Sequence, residues 1–103
     1  MGIIYAAMKP SQALQANRGA LRQLAARYGV LHPRVFGAVL HGDDTEGSDL
    51  DLLVDPTPST TFLTLGGLQL DAERLLGVRV DVLTPKALPR RSRELILKEA
   101  APL

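Results

Sequence analysis

The sequence predicts an α/β (α+β) fold, a small mixed β-sheet with helices packed on its apolar face. Three short apolar runs, at residues 35–40, 49–54 and 78–83, are bounded by Gly, Asp and Pro and read as strands. Longer segments with apolar residues three and four apart lie before, between and after them and read as helices. A turn of about eight residues lets the first two strands pair antiparallel. The helix between the second and third strands makes that pair parallel, with a right-handed crossover.

Residues 1–10 form a lead-in ending at Pro10. Ser11 is placed to cap a first helix running to Tyr28, with Leu14, Leu21, Leu24, Ala25 and Tyr28 on its apolar side. Gly29 is its stop signal. Val35 to Leu40 is the first predicted strand, and the polar stretch HGDDTEGS (41–48) is the turn after it. Asp49 to Val54 alternates: Leu50, Leu52 and Val54 point one way, and Asp49, Asp51 and Leu53 the other. Thr60 or Thr61 can cap a second helix to Leu76, with Phe62, Leu65, Leu68, Ala72, Leu75 and Leu76 as a core stripe. In Val78 to Leu83, the valines at 78, 80 and 82 make a core face opposite Arg79, Asp81 and Leu83. A last helix runs from Pro89 to Ala100.

Composition limits the function. The 103 residues fit a single domain, 1–103, with no room for a separate substrate domain. Twelve Lys and Arg against eleven Asp and Glu give a net charge of +1, unlike a protein that coats nucleic acid. Without cysteine there is no disulfide, thiolate zinc site or cysteine nucleophile. The absence of a membrane-length apolar run or a signal-peptide pattern leads us to expect a cytoplasmic protein.

The unusual feature is a set of carboxylates on the non-core face of two strands. Asp49 and Asp51 are two residues apart, so their Cα atoms lie about 6.5 Å apart on one face. With their charges about 5.5 Å apart at an effective dielectric near 20, they repel by about 3 kcal/mol. Asp81 sits on the strand expected to neighbour them. A divalent cation would turn this repulsion into ligation, and oxygen-only ligands suit Mg²⁺ or Mn²⁺. Gly37 lies on the preceding strand, where a glycine lets the backbone approach a ligand closely.

Read together, VFGAVLHGDDTEGSDLDLLVD followed by VRVDVLT resembles the minimal nucleotidyltransferases of the DNA polymerase beta superfamily. Their signature is Gly-Ser, about ten residues, Asp-x-Asp, and a third Asp on a later strand. The likeness extends from about Pro10 to Leu103 and implies a nucleotidyltransferase, polymerase beta palm-like fold. It implies that Asp49, Asp51 and Asp81 are metal ligands and catalytic residues. Asp49 and Asp51 would bind two Mg²⁺ ions (or Mn²⁺) that hold ATP, and Asp81 would lie near the attacking hydroxyl and help deprotonate it. Gly37, Ala38 and His41 would join Asp49 and Asp51 in binding the nucleotide.

Two positions depart from the family pattern. Ala38 replaces the family serine and removes a phosphate hydrogen-bond donor, which costs about 1.5–3 kcal/mol. His41 stands where relatives often carry Arg. The pattern fits a slow enzyme or one that has lost catalysis. We read His41 as a solvated or phosphate-contacting residue rather than a general base, because the sequence shows no partner to orient it. Asp43, Asp44 and Glu46 are expected in a solvated turn, Asp55 at a strand end, and Lys86, Arg90, Arg91 and Arg93 at a charged helix start.

Stand-alone members of the family resemble antitoxins of HEPN/MNT toxin–antitoxin modules. The resemblance therefore implies AMP transfer (AMPylation) from Mg-ATP to a tyrosine hydroxyl of a partner HEPN RNase toxin. The alternatives are a degenerate antitoxin that neutralises its partner by direct binding, and a nucleotidyltransferase acting on a small hydroxylated molecule.

Overall fold

The computed structural model describes residues 8–103, so most of the lead-in expected over residues 1–10 lies outside the described residues. The elements run α1 (Pro10–Arg27), β1 (Leu31–Phe36), α2 (Ala38–His41), β2 (Leu50–Asp55), α3 (Phe62–Leu76), β3 (Val80–Leu83), a 3-10 turn (Pro85–Ala87), α4 (Arg90–Glu99) and β4 (Ala101–Pro102). The sheet order is β3-β2-β1-β4. β1 pairs antiparallel with β2 and with β4, while β2 and β3 are parallel. The expected small mixed sheet with packed helices is therefore present, but the helices are not all on one face: α1 and α3 cover one side, while Ile96 of α4 packs with Leu53 on the other.

The apolar run at 35–40 is not one strand. β1 begins upstream at Leu31, passes through Pro33 and stops at Phe36, after which residues 38–41 wind into a single helical turn. Pro33, which has no N–H to donate, falls where the register with β2 shifts between Leu31 and Arg34. Gly37, at φ 75° and ψ −148°, ends the strand in a conformation essentially reserved for glycine.

α1 starts at Pro10, one residue before Ser11, and Ser11 does not cap it. The cap comes from across the fold: Asp44 Oδ2 accepts from the Ser11 backbone N–H at 2.8 Å. Asp44 is only 5% exposed, which corrects its reading as a solvated turn residue. α1 is kinked at Asn17, whose Nδ2 donates to the Ala13 carbonyl at 2.9 Å. Thr61 caps α3 as expected, its hydroxyl accepting from the Thr64 N–H at 3.3 Å. The α3 stripe enters the core only from Leu65 onward, through Leu68, Ala72 and Leu76, and Leu75 is exposed rather than part of it. Phe62 is 94% exposed and Leu63 88%, because the first turn lies beyond the part of the helix covered by the core. β4 was not expected; it adds a short edge strand beside Arg34 and Val35.

Alternation along β2 divides the interior. Leu50, Leu52 and Val54 join Leu14, Leu21, Leu24 and Ala25 of α1 and Leu68, Ala72 and Leu76 of α3 in the main core. Leu53 points to the other face and meets Phe36 and Leu88, with Ile96 and Ala100 at the margin. The amides of Val80 and Val82 are taken by Glu73 Oε2 (3.0 Å) and Gln69 Oε1 (3.3 Å) of α3. These bonds leave the edge strand less open to pairing with another chain. Among the described residues, no helix is long and apolar enough to cross a membrane.

Candidate active site

The parallel pairing of β2 and β3 places Asp51 directly opposite Asp81. Equivalent positions on paired strands share a face, so the two carboxylates project from the same side. Asp49, two residues before Asp51, immediately precedes β2. Asp49 and Asp81 are exposed, and Asp51 between them is half-buried. Burial, followed by the charges of Asp81 and Asp49, pushes the Asp51 carboxyl up to about 6. Asp51 is therefore a carboxylate poorly compensated by protein alone, in reach of two others.

Gly37 explains how the backbone passes this point. Phe36 is the register partner of Asp51, so the chain turns beside the carboxylate. A Cβ at residue 37 would collide with the Asp51 carboxylate, lying 3.3 Å from its Cγ and closer still to one oxygen. The left-handed φ of 75° independently disfavours any other residue. Ala38 then opens α2, which is held by His41 N–H to Gly37 O (3.2 Å) and Asp43 N–H to Ala38 O (2.9 Å). α2 packs against β1 and β2, next to the carboxylates.

The donor set fits a hard divalent cation: all three candidate ligands are carboxylates, and the central one is destabilised as a bare anion. Among the described residues no group of three or more His, Asp or Glu side chains is already arranged to hold a metal ion, so the three carboxylates would have to close around one. An open Mg²⁺ site ordinarily completes its shell with waters and substrate phosphates.

Sequence reasoning missed Glu99. Its Oε2 lies 3.2 Å from His41 Nε2, giving His41 the orienting partner that was not visible in sequence. Arg93 belongs to the scaffold rather than to an open basic cluster: its Nη2 donates to the Lys86 and Leu88 carbonyls, both at 3.0 Å. Lys86, Arg90 and Arg91 are exposed, as are Asp43 and Glu46. Asp55 pairs with Arg34 Nη2 at 2.6 Å and His32 Nδ1 at 2.8 Å. Partial burial works against its ionisation, but the hydrogen bonds from His32 and Arg34 prevail and hold its carboxyl below the usual range.

Residues 18–103 match the nucleotidyltransferase domain family. The chain belongs to that family. It is 35% identical over 78 residues to the protein adenylyltransferase MntA of Thermococcus cleftensis, covering 76% of this chain and 79% of that protein. It also superposes on the solved structure of a candidate minimal nucleotidyltransferase with a TM-score of 0.81 and 46% identity, over 90% of this chain and 95% of the other. A toxin–antitoxin structure with AMP-PNP shares the fold at a TM-score of 0.72 and 15% identity, over 84% of this chain and 71% of that one. The nucleotidyltransferase fold expected from the Asp-x-Asp and third-Asp pattern is thus the fold of this chain.

Proposed function

We propose that this nucleotidyltransferase is an antitoxin that moves AMP from Mg-ATP to a tyrosine hydroxyl of a partner HEPN RNase toxin in the cytoplasm. The observation that carries the reading is the alignment of Asp51 with Asp81 across two parallel strands, with Gly37 passing against Asp51. The protein adenylyltransferase name of the Thermococcus relative supports AMP as the transferred group. The toxin–antitoxin neighbour supports a protein partner, and its AMP-PNP supports an adenine nucleotide.

In this mechanism Asp49 and Asp51 would hold two Mg²⁺ ions (Mn²⁺ is the substitute), and Asp81 would be the third ligand. Bound divalent ions supply positive charge that stabilises the oxygens of an in-line phosphoryl displacement. Gly37 and the amides of α2 border the triphosphate, and Ala38 and His41 line the same turn. The tyrosine oxygen attacks the α-phosphorus, forming the new P–O bond as the bond to pyrophosphate breaks. Asp81, exposed beside Asp51, is placed to accept the hydroxyl proton.

The test is incubation of the chain and its toxin with ATP labelled at the α-phosphate. Label should reach the toxin with Mg²⁺ present, map to tyrosine after digestion, and disappear with Asp51→Asn or Asp81→Asn. Unlabelled toxin in the wild-type reaction would contradict the proposal.

Ala38 favours a second reading, neutralisation by direct binding, because the family hydroxyl donor is missing. That reading expects a stable complex without ATP and full protection after Asp49→Asn with Asp51→Asn. Loss of protection in this double variant would contradict it.

A further inference from the structure

We propose that Glu99 is a positioning residue for the nucleotide turn, holding α2 in place through His41; this role rests on the nucleotide-binding reading above.

α2 is a single turn of four residues. Isolated helices this short do not persist in water, because nucleation is costly and few bonds repay it. Its boundaries add freedom, since Gly37 precedes it at φ 75° and Gly42 follows it at φ 72°. None of its residues is fully buried. A turn of this kind needs an external anchor if its amides are to meet a phosphate in fixed geometry.

Val39 packs the middle of the turn against the main core, and a second anchor is at its C-terminal end. Glu99 Oε2 approaches His41 Nε2 to 3.2 Å, joining the last residue of α2 to the last residue of α4. Glu99 can serve because its own helix is restrained at both ends. Near its start, Arg93 donates to two carbonyls around the 3-10 turn. Past its end, Ala101 and Pro102 pair with β1, and the Leu103 N–H donates to Pro33 O at 3.1 Å. Ile96 and Ala100 pack against the Phe36, Leu53 and Leu88 cluster between these restraints. α4 is thus a strut tied to the sheet, and His41 is the point where it reaches the nucleotide turn.

Both side chains are partly exposed, 50% for His41 and 37% for Glu99, so the link is modest in strength. Glu99→Ala should weaken binding of Mg-AMP-PNP about three- to fivefold by calorimetry, while kcat at saturating ATP stays near wild type. Glu99→Gln keeps an acceptor oxygen at the same reach and should retain most of the affinity. The loss should vanish in a His41→Ala background, since the two residues act as one unit. A second readout needs no nucleotide: hydrogen exchange at the His41 and Asp43 amides should accelerate in Glu99→Ala. Wild-type affinity and exchange in Glu99→Ala would overturn the proposal, as would an undiminished loss in the His41→Ala background. If AMP transfer to a toxin fails while nucleotide affinity and turn exchange still respond to Glu99, the acceptor assignment falls and this role stands. If the wild-type chain binds no Mg-AMP-PNP, both fall.

Discussion

Asp51 and Asp81 stand opposite each other on parallel strands β2 and β3, and burial, with the charge of Asp81 adding to it, raises the Asp51 carboxyl to about 6. The fold therefore carries a cost at this position when no cation is bound. A carboxyl whose folded value exceeds its unfolded value destabilises the folded state as pH rises through the interval between them. For Asp51 that interval runs from the ordinary 3.8 to about 6. Asp51→Asn should then stabilise the metal-free protein at pH 7 by about 1–2 kcal/mol, after discounting for solvent screening at a half-buried site. Urea titrations at pH 7 and pH 4 check this, with the gain shrinking toward zero at pH 4. Mg²⁺ with AMP-PNP should raise the melting temperature of the wild type and not that of Asp51→Asn.

Gly37 has two separate reasons to be glycine: its positive φ and its contact with the Asp51 carboxylate. Gly37→Ala should destabilise the protein by about 1–3 kcal/mol and abolish nucleotide binding. Chemical denaturation and calorimetry measure the two effects. A stable variant with unchanged affinity would contradict the close approach.

Ala38 opens α2 without the hydroxyl that the Gly-Ser signature would place there. Ala38→Ser should strengthen Mg-ATP binding about tenfold, the value of one added hydrogen bond to a charged group. Calorimetry on both chains checks it. Equal affinity would mean that the residue 38 side chain does not reach the phosphates.

Asp44 ties the loop before β2 to the first turn of α1 through the Ser11 amide. Burial opposes its ionisation, yet the hydrogen bonds from Ser11 prevail and hold its carboxyl below the ordinary value. Such a group stabilises the fold above its unfolded value of about 3.8, and the contribution is lost as pH falls through its lower folded value. Asp44→Ala should cost about 1–2 kcal/mol at neutral pH, in the range of other lost helix caps. The difference from wild type should narrow below pH 4 in denaturant titrations.

Much of the geometry of the candidate site was legible because strand periodicity sorts side chains without any knowledge of packing. Alternation placed Asp49 and Asp51 opposite Leu50 and Leu52, and the crossover through α3 made β2 and β3 parallel, which brings Asp81 alongside Asp51. What stayed hidden depends on contacts between residues far apart in the chain. Asp44 looked like an ordinary turn residue until α1 supplied the Ser11 N–H it caps. His41 looked unpartnered because Glu99 is brought to it only by the packing of α4. The strand boundary at Phe36 was missed for a local reason: Val35 to Leu40 is apolar throughout, and the conformation of Gly37 outweighs that pattern.

If the Asp51–Asp81 face transfers AMP to a protein partner, the mass of that partner records it. The most direct measurement is the intact mass of the proposed HEPN toxin partner after co-expression with this chain, compared with co-expression with Asp81→Asn. The toxin should be heavier by one or more AMP units with the wild type and unmodified with the variant. Toxin of unchanged mass that is nonetheless neutralised by the wild-type chain would contradict it.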